Sequence, residues 1–282
     1  MKKINWYPGH MKKTKELIKE NLKLVDVVLE ILDARVPISS QNHDLLELVK
    51  NKNRIVIINK ADLVEKRELD KITEKMRNEK FEVLEISALK NLNIDKLKTS
   101  LNKLREKKTI RLKKKGIIKS TLRVMIIGIP NVGKSMLINC LAKRKAANVA
   151  NVPGFTKGKQ WIKIGKNIEL LDTPGILWPN ISDIEIGYKL AIINAIKIEI
   201  LDEEDLAKKL ITILINKNSK SLKSKYGLSD DILKSENLND ILEQIAKKLN
   251  FVNKDSKYDF SKTCKMILKD FREKKLGNIL LD

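Results

Sequence analysis

The chain has 282 residues and a formal charge of +22, from 58 Lys and Arg against 36 Asp and Glu, with 42% hydrophobic and 4% aromatic residues. That length suits one large domain or two modest ones with a sizeable core, while so few aromatics exclude an extensive base-stacking surface. No apolar run reaches 18 residues, the two cysteines (Cys140, Cys264) are far apart, and His10 and His43 are the only histidines, so a membrane span, a disulfide framework and a structural zinc site are not expected.

The opening MKKINWYPGH carries no apolar secretory core, so a cytoplasmic protein is expected, and a monomer. In chain order, Val25–Leu32, Arg54–Ile58 and Glu82–Ile86 read as strands. Asp44–Lys50, Lys66–Glu79 and Ile94–Lys107 repeat apolar residues at helical spacing. Thr121–Ile127 is a further strand leading into a helix at Lys134–Lys143, and Gln160–Ile164 and Ile168–Leu171 complete the strand set. Strands alternating with helices predict an α/β fold with a mainly parallel sheet flanked by helices. From Ile184 onward only amphipathic helices follow, at Ile184–Ile198, Glu203–Asn216, Leu238–Lys248 and Ser261–Lys275. A boundary near Pro179–Asp183 would divide a domain at 1–182, with an N-terminal extension at 1–22, from a smaller all-helical domain at 183–282.

Charge follows that division, with +20 on residues 1–182 and +2 on residues 183–282. A general lysine excess explains the total but not the asymmetry, which suggests a polyanionic partner. The most basic stretch, Lys103–Arg123, has ten Lys or Arg and one acid, Glu106. It reads as a helix end and an exposed basic linker, either simply solvated or contacting phosphates.

Residues 121–135, TLRVMIIGIPNVGKS, run an apolar strand into a GxxxxGK[ST] loop and then a helix. Gly128 and Gly133 permit a tight loop whose N–H groups point at phosphate oxygens, and the helix N-terminus adds positive potential. Lys134 can reach the β- and γ-phosphates and Ser135 can offer its hydroxyl to Mg²⁺, with Asn131, Val132 and Met136 flanking the same nucleotide site. Asp172-Thr173-Pro174-Gly175 begins 37 residues beyond Ser135, at the end of a strand. Asp172 can hold Mg²⁺ through water, and Gly175 lets the backbone approach the γ-phosphate. Between them, Val152–Gly158 forms a loop in which Thr156 is a further Mg²⁺ ligand candidate.

Phosphate elements do not choose the base. Asn59-Lys60-Ala61-Asp62, at the end of RIVII, fits N-K-x-D. The Asp62 carboxylate can accept from guanine N1–H and the exocyclic amine, a donor pair that adenine lacks. Asn59 can bond the base or brace the loop, and the Lys60 stem can cover the base face. Ser87-Ala88 supplies a backbone N–H suited to guanine O6.

In familiar GTPases the phosphate loop comes first and the base motif last; here the order is NKAD, SA, GIPNVGKS, PGFT, DTPG, which is circularly permuted. With Trp6-Tyr7-Pro8-Gly9-His10-Met11, Asp33-Ala34-Arg35-Val36-Pro37, DTPGILWP at 172–179 and YGL at 226–228, the chain resembles the bacterial ribosome biogenesis GTPase A family over nearly its whole length. The resemblance implies a circularly permuted P-loop GTPase that turns GTP into GDP slowly on its own and faster on the large ribosomal subunit. It further implies binding to the precursor of that subunit and its rRNA, and hydrolysis acting as a switch for late maturation and release. The helical domain at 183–282 would contact the RNA, and the basic linker at 103–123 would be the join of the permutation. Ile176 stands where many GTPases hold a water-positioning glutamine, and the resemblance makes His10 the catalytic candidate, against capping a helix or contacting RNA. In related GTPases an asparagine placed like Asn131 helps bind K⁺; bracing of the loop is the alternative. Asp33 and Arg35 either organise the N-terminal element near the switches or form a local ion pair and turn.

Overall fold

The computed structural model describes residues 4–5, 16, 18–77, 81–118, 120–143, 160–165, 167–172, 180–181, 183–196, 202–235, 237–253 and 257–282. Eight strands are described: β1 (Ile4–Asn5), β2 (Val27–Asp33), β3 (Asn53–Asn59), β4 (Glu82–Glu85), β5 (Leu122–Ile127), β6 (Gln160–Ile164), β7 (Ile168–Asp172) and β8 (Asn180–Ile181). Strands β2 to β7 form one sheet in the order β4-β3-β2-β5-β7-β6, parallel throughout except for β6, which pairs antiparallel with β7.

Alternation along the strands sets the layers, since successive side chains point to opposite faces. Val27, Leu29 and Ile31 of β2 and Val124 and Ile126 of β5 enter one cluster, whereas Val28, Met125 and Ile127 enter another on the opposite face. The first face is covered by α3 (Ile94–Lys113) and α4 (Lys134–Ala142). The second lies under helical residues 18–22 and α1 (His43–Val49), and α2 (Lys66–Arg77) covers Val56, Ile58 and Val83 beside it. Both faces are thereby buried, as a parallel sheet requires.

From residue 184 the described chain is helical: α5 (Ile184–Ile192), α6 (Glu203–Tyr226), α7 (Asp230–Leu233), α8 (Leu238–Leu249) and α9 (Phe260–Arg272). Leu206, Leu210, Ile241 and Ile267 of these helices join the same continuous apolar cluster as β2 and β5. The helical part therefore packs onto the sheet layer through hydrophobic contact. The YGL motif is a helix terminus: Gly227 takes a left-handed φ of 71° and its N–H caps Lys223 O. Buried Tyr226 donates to Asp270 Oδ2 of α9 at 3.1 Å.

Several boundaries differ from the sequence reading. Helix α3 runs to Lys113, because Lys and Arg favour helix even without an apolar stripe. Helix α5 ends at Ile192 with left-handed Asn194 just beyond, well short of Ile198. Helix α6 continues to Tyr226 across a non-helical kink at Asn218. No helix among the described residues is long and apolar enough to cross a membrane.

Candidate nucleotide-binding site

The described site residues gather at the C-terminal ends of the parallel strands. Strand β5 leads into the GIPNVGKS loop, with β2 on one side and β7 on the other. Asn59 ends β3, Ser87 follows β4, and Asp172 ends β7, so all these motifs open at one edge.

Two glycines in the phosphate loop are required by close approach. A Cβ on Gly128 would lie 2.4 Å from Ile31 O, and one on Gly133 would lie 2.3 Å from Asn59 Nδ2. Both also hold positive φ, 150° and 96°. Lys134 starts α4 and turns back into the loop, donating to Ile129 O at 2.8 Å and Gly128 O at 3.2 Å. Ser135 and Met136 follow it in the first turn of α4.

Asn59 joins three motifs with one side chain. Its Nδ2 donates to Val132 O at 2.8 Å, and its Oδ1 accepts from Ala88 N–H at 3.0 Å. Of the two sequence alternatives, this is the brace. The Ala88 N–H expected to face guanine O6 is therefore engaged by Asn59, and the Ser87 N–H donates to Leu92 O. Lys60, in a left-handed conformation, donates to Asn131 O at 2.6 Å and pairs with Asp33 at 2.8 Å. Asp62 lies in the short 3₁₀ turn Ala61–Leu63, where its carbonyl accepts from Lys274 Nζ at 2.6 Å.

Asp33 and Arg35 form an ion pair and turn that also reaches the base motif. Asp33 accepts from Arg35 Nε at 2.9 Å, from Nη2 at 2.7 Å and from the Arg35 N–H at 3.1 Å. Burial pushes the Asp33 carboxyl up, but the neighbouring Arg35 and Lys60 charges reverse this and hold it well below the usual carboxylate range. Burial likewise pulls the Lys60 ammonium down, with Asp33 opposing. Sequence reasoning missed what lies behind this pair. Arg35 sits 5.8 Å from the Phe271 ring centroid, and its carbonyl accepts from Leu281 N–H at 2.7 Å. The helical part also meets the phosphate loop directly, where Asn131 Nδ2 donates to Asn194 O at 2.6 Å. No sequence signal marks contacts so distant along the chain.

A cleft of about 340 Å³ adjoins Ala88 and Met136, lined also by Asn91, Lys98, Asn139 and Cys140. Cys140 and Cys264 are both free thiols. His10, Thr156, Gly175 and Ile176 lie outside the described residues, and of Asp172 the backbone alone is described. One backbone pairing bears on them: β1 pairs with β8, which joins the segment just before WYPGHM to the segment just after DTPGILWP.

Comparison with known families agrees with these motifs. The family described as 50S ribosome-binding GTPase matches residues 123–255, and the elongation factor Tu GTP binding domain matches residues 7–107. Ribosome biogenesis GTPase A of Priestia megaterium is 38% identical over 280 residues, covering 99% of this chain and 96% of its own. The protein of that name from Bacillus pumilus is 36% identical over 279 residues, covering 99% and 98%. Among solved structures, GNP-bound YlqF from T. maritima aligns with a TM-score of 0.65 at 23% identity, over 96% of this chain and 97% of that one, which shows a shared fold.

Proposed function

The chain belongs to the ribosome biogenesis GTPase A family and is a GTPase, and from that premise we propose that it binds the assembling large ribosomal subunit and uses GTP hydrolysis to time late maturation and its own release. The ribosomal part of this reading is supported by the relatives, and the nucleotide part by Asn59, whose one amide ties the base motif to the phosphate loop and to Ala88. Motifs far apart in sequence are thus held as a single guanine-nucleotide site.

Within that site Asp62 reads the guanine edge, the Lys60 stem covers the ring, and Ser87–Ala88 closes the pocket beside Met136. The N–H groups from Asn131 to Ser135 and the Lys134 ammonium hold the phosphates. The fit to a phosphate chain rests on the tight Gly128–Gly133 loop and on Lys134, whose ammonium is already turned into it. Ser135, Thr156 and Asp172 would hold Mg²⁺, which when bound neutralises charge on the phosphates. Asn131 would bind K⁺ through Oδ1, the end of its amide with lone pairs for a cation, since Nδ2 donates to Asn194 O.

Ile176 cannot orient water, so the intrinsic rate is low and His10 orients or deprotonates the nucleophile. The β1–β8 pairing supports this role, because it tethers the chain five residues before His10 beside the segment that follows Gly175. Thr156 and Gly175 respond to the γ-phosphate, so occupancy by GTP or GDP sets the affinity for the particle.

Co-sedimentation of the full chain with large-subunit precursors tests the switch. Retention with a non-hydrolysable GTP analogue and loss with GDP is the expected outcome. Equal retention in both states would contradict a release switch and leave a nucleotide-indifferent docking protein.

A further inference from the structure

We propose that α3 from Lys103 onward and the chain following it form an RNA-docking arm at the end of the sheet opposite the nucleotide site. This inference rests on the ribosomal reading above and locates a contact within it. Helix α3 has 20 residues, but its buried positions, Ile94, Leu97, Ser100 and Leu101, all fall in the first eight. Beyond them Lys103, Lys107 and Arg111 stand exposed at intervals of four residues, about 6 Å apart along one face, and Lys113–Lys115 are exposed where the helix ends. Among the described residues none of these six cations has a carboxylate within ion-pair distance. By contrast, Lys108 between them is committed to Asp26 at 2.6 Å and Thr121 O at 2.8 Å.

Position excludes service to the nucleotide. The phosphate loop leaves the C-terminal end of β5, whereas the arm enters its N-terminal end at Leu122, about 20 Å away along six residues of strand. Six exposed like charges with no carboxylate at ion-pair distance among the described residues, beside a single acid, Glu106, that pairs with Arg105, favour an external polyanion. Ile110 is 59% exposed and Ile118 84% exposed, a mixture that an anionic membrane could also engage. The aromatic neighbour favours RNA. Arg123, at the end of the basic stretch, donates through Nε to Glu169 Oε2 at 3.3 Å and places its guanidinium 5.2 Å from the ring centroid of Trp161, itself 38% exposed on edge strand β6. Such a cation–aromatic pair is suited to stacking an unpaired base.

The test compares the full chain with the triple variant Lys107→Glu, Arg111→Glu, Lys114→Glu, using retention of purified large-subunit rRNA across a KCl series. About a tenfold or greater loss of affinity at low salt is expected, with a salt slope shallower by about three, one for each phosphate contact removed. Basal GTP hydrolysis and melting temperature should be unchanged, which separates a lost contact from a damaged fold. Equal affinity and slope for the two proteins would overturn the arm. So would tighter binding of the wild type to vesicles of 30% phosphatidylglycerol in phosphatidylcholine than to RNA. A wild-type chain that binds no rRNA would instead overturn the ribosomal reading, and the arm with it.

Discussion

Asn59 holds the nucleotide site by its two ends, with the carbonyl taking the Ala88 N–H and the amide nitrogen giving to Val132 O. Both partners are backbone groups at buried residues, so deleting the amide leaves each unsatisfied, at about 1–3 kcal/mol per group. Asn59→Ala is expected to weaken GTP and GDP alike by about tenfold to a hundredfold, measured by titration calorimetry. Asn59→Asp should be worse, because it keeps the acceptor but sets a carboxylate against Val132 O. Affinities within a factor of two of wild type would contradict the brace. Asp33 is the second such residue. Its depressed pKa means its stabilising contribution is complete above the ordinary carboxylate value, near pH 4, and is lost as pH falls through the lower folded value. Asp33→Asn removes the carboxylate that Arg35 and Lys60 share, leaving only the weaker influence of Asp62 on Lys60, and should cost about 3 kcal/mol in urea unfolding at pH 7. The gap between variant and wild type should narrow below about pH 4. A gap independent of pH would mean that packing, not charge, holds the turn.

Helix ends show where the sequence was legible. Strands β2, β3 and β5 are legible because a strand buried on both faces must be a continuous apolar run, and the phosphate loop because its GxxxxGK[ST] spacing keeps glycine where Gly128 and Gly133 have no room for a Cβ. Lys108–Lys113 reads as a linker from its dense lysines and the Gly116 beyond; what makes it helix is backbone propensity and the Lys108 tie to Asp26. The two-residue β1–β8 pairing has no pattern to read at all. Nor could the sequence show how α5 is closed. Arg272 of α9 donates through Nε to Ile192 O at 2.7 Å and through Nη2 to Ala191 O at 2.8 Å, the latter also accepting from the Asn194 N–H at 2.9 Å, so the last carbonyls of that helix are capped. Burial, then the nearby Arg35 charge, pulls the guanidinium down to about 10, so it stays charged at neutral pH. Arg272→Met keeps the apolar stem and loses both donors. It should lower stability by about 1–3 kcal/mol in urea at pH 7, chiefly through Ile192 O, and an unchanged midpoint would show that another group satisfies that carbonyl.

Across the whole molecule, the sheet layer and the terminal helices share one apolar cluster and touch the nucleotide motifs at three named points. Asn194 O takes the Asn131 amide, Lys274 reaches Asp62 O, and Phe271 with Leu281 flanks Arg35 behind Lys60. A change of nucleotide at the phosphate loop thus has a short packed route to the helical part. Permutation leaves this arrangement intact because the site depends on which strand ends are neighbours, not on chain order. GTP hydrolysis by the full chain in K⁺ buffer, with and without purified large ribosomal subunits and with Na⁺ in parallel, bears most directly on the switch. A slow rate alone, a strong rise with the large subunit and a smaller rise in Na⁺ are expected. A rate unmoved by the subunit, with GTP binding intact, would contradict the proposed coupling of hydrolysis to the particle.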